Sequence, residues 1–315
     1  MKGLFLKLIL FFAGFAVLVA ALFSISPDVR FRYNFIKGDC DAQGSWIYET
    51  MRGNDKPGIV FLGSSHTLNA VNEKIIMDEL KKTGTDTVSV ANFGYCRYGR
   101  NLQYVLLKDL IKSNKPKMVI FEVTSEEPAS SHPVFGYLAE PVDVFSAPLL
   151  LNFDYFRDIY YSFIMQTSYI KSISGMQNYD FEKVRRKSGY HWANKVIPKN
   201  ELVKSGRKRR QKFDGKSQDF FTRLEKKLPD FYLEKVISVC RENNIRIIFL
   251  YLPSYGLQDI LPVDYEFYNK NGLFWNPPSE IFNNFDNWAD DSHLNVSGAG
   301  KISVWLSEKI AEIIK

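Results

Sequence analysis

Four short runs of strand-forming residues, each closed off by turn residues, constrain this chain more than anything else in it. They are residues 58–62 (GIVFL), 86–92 (DTVSVAN), 117–123 (KMVIFEV) and 246–252 (RIIFLYL). The first, third and fourth are almost continuously apolar. A strand with one wet face alternates polar and apolar residues, whereas a strand buried on both faces does not. Helical spacing follows each run. Residues 72–82 read as a helix, and 101–112 place Leu102, Val105, Leu106, Leu110 and Ile111 on one side. Residues 229–243 do the same with Tyr232, Leu233, Val236, Ile237 and Cys240. A last helix is expected over 297–315, with Ser297 as N-cap and Ile302, Trp305, Ile310 and Ile313 facing inward. Alternating strands and helices predict a parallel sheet covered on both faces. Sites in such sheets lie at the carboxyl ends of the strands.

The stretch from Pro128 to Lys216 does not keep this rhythm, and residues 128–228 read as an insertion. Its first half is aromatic (Phe153, Tyr155, Phe156, Tyr160, Tyr161, Phe163, Tyr169). The chain carries 25 Phe, 17 Tyr and 5 Trp, enough to fill a core and still leave rings for a surface that meets sugars or membrane headgroups. The second half of the insertion is basic. From Lys199 to Lys216 there are eight basic and two acidic residues, an excess equal to the net charge of the whole chain, +6. The remainder is neutral, which argues against a broad basic face and so against a nucleic-acid partner. The basic stretch, with Arg207, Arg209 and Arg210 at its centre, suits an acidic polymer or anionic headgroups, or a solvated loop. Tyr190 and Trp192 just before it suit a sugar platform or packing within the insertion. Cys40, Cys96 and Cys240 lack metal-ligand spacing and allow at most one disulfide. Cys240 falls on the apolar side of its helix.

Residues 8–25 (LILFFAGFAVLVAALFSI) contain no charge, and the apolar run begins near Leu4. That is long enough to span a bilayer. Lys2 and Lys7 precede the charge-free run, which places the N-terminus in the cytoplasm and the rest in a periplasm or at a cell surface. A cleaved signal peptide is the rival reading, but the run is long and Ala20-Ala21-Leu22-Phe23-Ser24 offers no clean cleavage site. Residues 1–25 are therefore expected to be a membrane anchor, 26–57 a stalk and 58–315 the main domain.

Two motifs carry chemistry. Gly63-Ser64-Ser65 follows the first strand, where glycine permits a sharp turn and a serine hydroxyl stands at the strand tip beside backbone N–H groups. Such a turn can also merely satisfy its own backbone. Asp290-Asp291-Ser292-His293 offers a base with a carboxylate about one helical turn away. A hydroxyl needs a base to become a nucleophile, and the base needs a partner that fixes its tautomer. The i, i+3 spacing favours Asp290 over Asp291. His66, next to Ser65, should diverge from it; it is poorly placed to be the base and reads as a structural residue or a substrate contact. A metal reading of Asp290, Asp291 and His293 lacks further ligands, and no cofactor is expected.

These motifs, in this order and on this strand rhythm, resemble the SGNH (GDSL-type) hydrolase superfamily. Gly63-Ser64-Ser65 corresponds to its first block, with serine in place of aspartate, and Asn92-Phe93-Gly94 to its second. Asp290-x-x-His293, extended by Leu294, Asn295 and Gly298, corresponds to its fifth. The resemblance implies a flavodoxin-like three-layer α/β/α fold with Ser65, His293 and Asp290 catalytic. It also implies an oxyanion hole from the N–H groups of Ser65 and Gly94. The third block is absent: strand three runs into Val123-Thr124-Ser125-Glu126, leaving Thr124 as a substitute donor. The Gly-Ser-Ser variant, the single membrane segment and the Asp-x-x-His-Leu ending are similar to membrane-anchored SGNH-like proteins of envelope-polymer acylation. Those work beside a multipass membrane-bound O-acyltransferase. The resemblance thus implies transfer or removal of an acyl group, acetyl being the simplest, on an acidic or neutral polysaccharide. The rival is a non-catalytic scaffold that binds polysaccharide or the acyltransferase.

Overall fold

The computed structural model describes residues 2–37, 43–84, 88–125, 127–181, 188–215 and 220–314. Cys40, the start of the second expected strand, Glu126 and Lys216 lie outside them.

The sheet has five parallel strands in the order β2-β1-β3-β4-β5. The strands are β1 (Ile59–Gly63), β2 (Val90–Gly94), β3 (Met118–Val123), β4 (Arg246–Tyr251) and β5 (Leu273–Trp275). This is one of the two common doubly wound orders, that of flavodoxin-like sheets. Strand side chains alternate between two cores. Val60, Leu62, Phe93, Val119, Phe121 and Phe249 join one; Ile59, Phe61, Ile120, Ile248 and Leu250 join the other. Both faces are therefore dry, which is why the runs are continuously apolar.

The first face is covered by α6 (Arg100–Ser113), α11 (Phe220–Glu242) and α3 (Gln43–Arg52). The second is covered by α5 (Glu73–Lys82) and α14 (Val296–Ile314). Asn72 caps α5 through the N–H groups of Lys74 and Ile75. Residue Ser297 does not cap α14. Asn295 does, accepting from the N–H groups of Ser297 at 3.0 Å and Gly298 at 3.2 Å. Helix α11 starts well before the expected Pro229, which lies inside it.

Two helices occupy the segment expected to be a stalk: α2 (Val29–Phe35) and α3. Phe31, Tyr33, Trp46, Ile47 and Met51 are buried, and Arg32 pairs with the buried Asp109 at 3.1 Å. Helices α2 and α3 are part of the domain because their aromatic side chains have a core to enter. Before them, α1 (Lys2–Ser24) is long and apolar enough to cross a membrane, and its apolar side chains from Leu4 to Leu18 are exposed.

The short helix α4 (Ser65–Ala70) follows β1 directly. In the insertion lie α7 (Phe135–Leu138), α8 (Pro141–Phe145), α9 (Tyr155–Ile173) and α10 (Lys199–Asp214). Beyond β4 come α12 (Tyr265–Asn271) and α13 (Ser279–Asn283). Cys96 is disulfide-bonded, whereas Cys240 is a free thiol whose pKa burial raises to about 12.

Candidate active site

Strand β1 ends at Gly63, and Ser64 caps α4, its hydroxyl accepting from the His66 N–H at 3.1 Å. This turn leaves Ser65 as the first residue of the helix, at the carboxyl edge of the sheet. Its N–H has no carbonyl one turn back to bond to. From the other end of the chain, residues 288–294 fold over the same edge, held by the bridge between Trp288 and Leu294. The His293 Nε2 lies 2.8 Å from Ser65 Oγ, and its Nδ1 lies 2.9 Å from Asp290 Oδ2. Carboxylate contact fixes the proton on Nδ1 and leaves Nε2 to accept from the serine.

The Asp290–His293 relation is not a helical turn. Asp290 Oδ1 accepts from the backbone N–H groups of Ser292 and His293, each at 2.8 Å, so one carboxylate folds the loop and orients the ring. Burial would raise the Asp290 pKa, but hydrogen bonds and charge from His293, with the two N–H groups, lower it to about 2. The carboxylate therefore stays charged through any neutral or mildly acidic range.

A second carboxylate, unforeseen from the sequence, organises the turn that carries Ser65. Glu122 on β3 is buried and accepts from Ser64 Oγ at 2.6 Å, Ser64 N at 2.7 Å and Thr67 N at 3.0 Å, as well as from the Thr67 hydroxyl. Burial raises its pKa while those donors oppose the rise. Its carboxylate occupies the space above Gly63. A Cβ at Gly63 would overlap it and Thr67 Oγ1, so the first position of the motif must be glycine for packing as much as for turning. The available signal was an acidic residue inside an otherwise apolar strand, which is tolerated only with partners.

His66 is buried, 4% exposed, and is not among the residues lining the cleft, which fits its structural reading. Its Nδ1 donates to the Leu252 carbonyl at 3.2 Å, so its Nε2 accepts from the Tyr98 hydroxyl at 3.0 Å. Burial, and next the charge of His293, lower its pKa to about 3, which keeps it neutral.

The oxyanion expectation needs correction. The Gly94 N–H is taken by Asn92 Oδ1 at 2.8 Å, while the Asn92 amide ties α4 to β2 through the carbonyls of Thr67 and Val71. The Thr124 hydroxyl donates to Glu127 at 3.3 Å. Of the three expected donors, the Ser65 N–H is the one left open at the helix start.

No protein-family model and no curated protein matches the chain.

Beside the His293 loop opens a cleft of about 400 Å³ lined by Tyr98, Thr124, Ser254, Lys208, Lys212 and Asp291, among others. Helix α10 forms its basic wall. It is docked where Gly206 meets Gly256 too closely for any Cβ. Arg209 then reaches the carbonyls of Tyr255 and Asp291, the Ser292 hydroxyl at 3.0 Å and the Asp291 carboxylate at 3.1 Å. Arg209, expected to bind substrate, lines the cleft and also fastens the 290–293 loop to α10. Arg210 pairs with Asp259 at 2.8 Å, and Arg207 lines a groove with Lys199, Val203 and Lys204 instead of the cleft. Tyr190 and Trp192 are not among the described residues lining the cleft; Tyr190 is half-buried and Trp192 is exposed. Lys208, Arg209 and Lys212 are the basic residues that line the cleft, and Lys208 and Lys212 were visible in the sequence only as members of a run.

Proposed function

We propose that the protein is a serine-dependent acyl-transferring enzyme of the SGNH type, an O-acyltransferase or carboxylic-ester hydrolase held at the membrane by α1. The observation that carries this reading is His293 bridging Ser65 Oγ and Asp290 within hydrogen-bonding distance on both sides, from motifs at opposite ends of the domain. Ser65 Oγ attacks the acyl carbonyl as its proton passes to His293 Nε2. The leaving alcohol departs with that proton, and an acyl-serine remains. An acceptor hydroxyl, or water, then gives its proton to His293 and attacks the acyl-serine, which regenerates Ser65. Asp290 stabilises the imidazolium formed in each half, and the N–H at the start of α4 faces the developing oxyanion.

The acceptor side is the cleft under α10. Its hydroxyl-bearing and cationic lining suits a polyol or sugar that carries negative charge, and acetyl is the simplest acyl group. An acyl donor supplied by a multipass membrane-bound O-acyltransferase fits the same reading. The occupied Gly94 N–H favours a second one: a site that becomes competent only when a partner or acceptor completes the oxyanion hole, or a scaffold without turnover.

The test is fluorophosphonate labelling of the full chain in detergent, with Ser65→Ala and His293→Ala beside it, then acetyl-ester turnover with and without an oligosaccharide acceptor. Labelling lost in both variants supports the activated serine, and acceptor-dependent turnover makes it a transferase. A folded protein that never labels sinks the enzyme reading for the isolated chain.

A further inference from the structure

Helix α9 has an unusual polarity. Its buried side presents Asp158, Ser162, Gln166 and Ser168 with Met165 as its fully buried apolar residue, whereas Phe156, Tyr160 and Phe163 stand in the open at helical spacing. An amphipathic helix on a water-soluble surface has the opposite arrangement. The outward stripe continues through the preceding loop, where Leu150 is 85% and Phe153 71% exposed, to Phe145 at the end of α8. Charges at this end of α9 are internally paired: Arg157 lies 2.8 Å from Asp154 and 3.5 Å from Asp158, so the ion pairs do not call for a wet neighbour. The stripe also adjoins α1. The rings of Phe23, in the last turn of α1, and Phe145 meet edge to face at 4.8 Å, and α1 runs against α9.

We infer that the exposed face of α8, the following loop and α9 is a second membrane contact, lying in the lipid interface next to the point where α1 leaves the bilayer. Aromatic rings favour that depth, where the ring body is among acyl chains and polar tips reach water. The face is continuous with the span, so lipid that surrounds the end of α1 also meets Phe145 and the stripe behind it. The inference rests on the reading of α1 as a membrane span, and not on the enzymatic reading.

The test uses the full chain in phosphatidylcholine–phosphatidylglycerol vesicles, with an environment-sensitive NBD fluorophore on single introduced cysteines. Phe156→Cys and Phe163→Cys report the stripe, Leu18→Cys reports the span, and Lys270→Cys reports a solvent-exposed surface. Quenching by lipids with a nitroxide near the headgroup, with a blue shift, is expected at 156 and 163. Leu18→Cys should be quenched by deep nitroxides and Lys270→Cys by neither. Water-like emission at both 156 and 163 while position 18 is embedded overturns the inference and leaves the span intact; that face would then belong to a protein partner. Water-like emission at position 18 as well overturns the span and the inference with it.

Discussion

Asp290 and Glu122 do different work with the same functional group. Asp290 accepts from the His293 Nδ1–H, so Asp290→Asn should lower turnover by roughly 10³–10⁴-fold through a wrongly held tautomer, with the fold preserved by circular dichroism. Glu122 is buried and turned toward donors, so Glu122→Gln sets an amide N–H₂ against N–H and O–H groups. It should cost about 1–3 kcal/mol in a urea titration and reduce fluorophosphonate labelling of the untouched Ser65. Unchanged labelling would mean that the turn holds its shape without the carboxylate. The grouping of Ser65, His293 and Asp290 was legible because a serine on a strand-end turn and a carboxylate three residues before a histidine complement each other chemically. Glu122 was not, because a lone acid in a strand does not announce its partners. Gly94 misled for a related reason: the motif identifies a backbone N–H, but the Asn92 side chain that consumes it depends on how β2 meets α4.

At the scale of elements, the strands were legible wherever burial on both faces removed nearly all polar residues. Strand β5 was missed because Leu273–Trp275 is too short to show a pattern and takes its pairing from β4. Helices α2 and α3 were read as a stalk because their periodicity is brief and their burial comes from α6 and α7 rather than from their own sequence. The basic run became a helix whose arginines have separate duties. Arg209→Ala should leave the fold intact yet lower kcat, since four groups of Tyr255, Asp291 and Ser292 lose one shared donor. Arg210→Ala, at an exposed pair with Asp259, should change neither rate nor Tm. Loss of kcat in both variants would point to net charge rather than to the Arg209 contacts. Lys208→Ala with Lys212→Ala should raise KM for an anionic acceptor and leave a neutral ester unaffected, because both line the cleft.

For the molecule as a whole, two buried neutral histidines link folding to pH. Burial lowers His66 to about 3 and His132 to about 4 from the ordinary 6.5. Below pH 6.5 the unfolded chain binds these protons and the folded chain does not, so their contribution is complete above that pH and is lost as the pH falls toward 3–4. Each should steepen the acid loss of stability by up to about 1.4 kcal/mol per pH unit near pH 5. Raised carboxyls such as Glu122 and Glu127 act in the opposite sense, favouring the fold at low pH until they ionise. The check is therefore a difference: urea unfolding of His66→Gln and His132→Gln at pH 5 and 7 should show a shallower pH dependence than the parent chain, whatever their absolute stabilities. An unchanged slope would mean that these rings are already charged when folded.

The burial of α2 has a mechanical consequence. Only Ile25, Ser26, Pro27 and Asp28 lie between α1 and α2, and α2 is pinned by Phe31, Tyr33 and the Arg32–Asp109 pair. Fully extended, four residues reach roughly 14 Å. With α1 in the bilayer, the domain has a berth instead of a leash: it is held at one fixed height, so under the proposed function an acceptor polymer would have to be brought past the site.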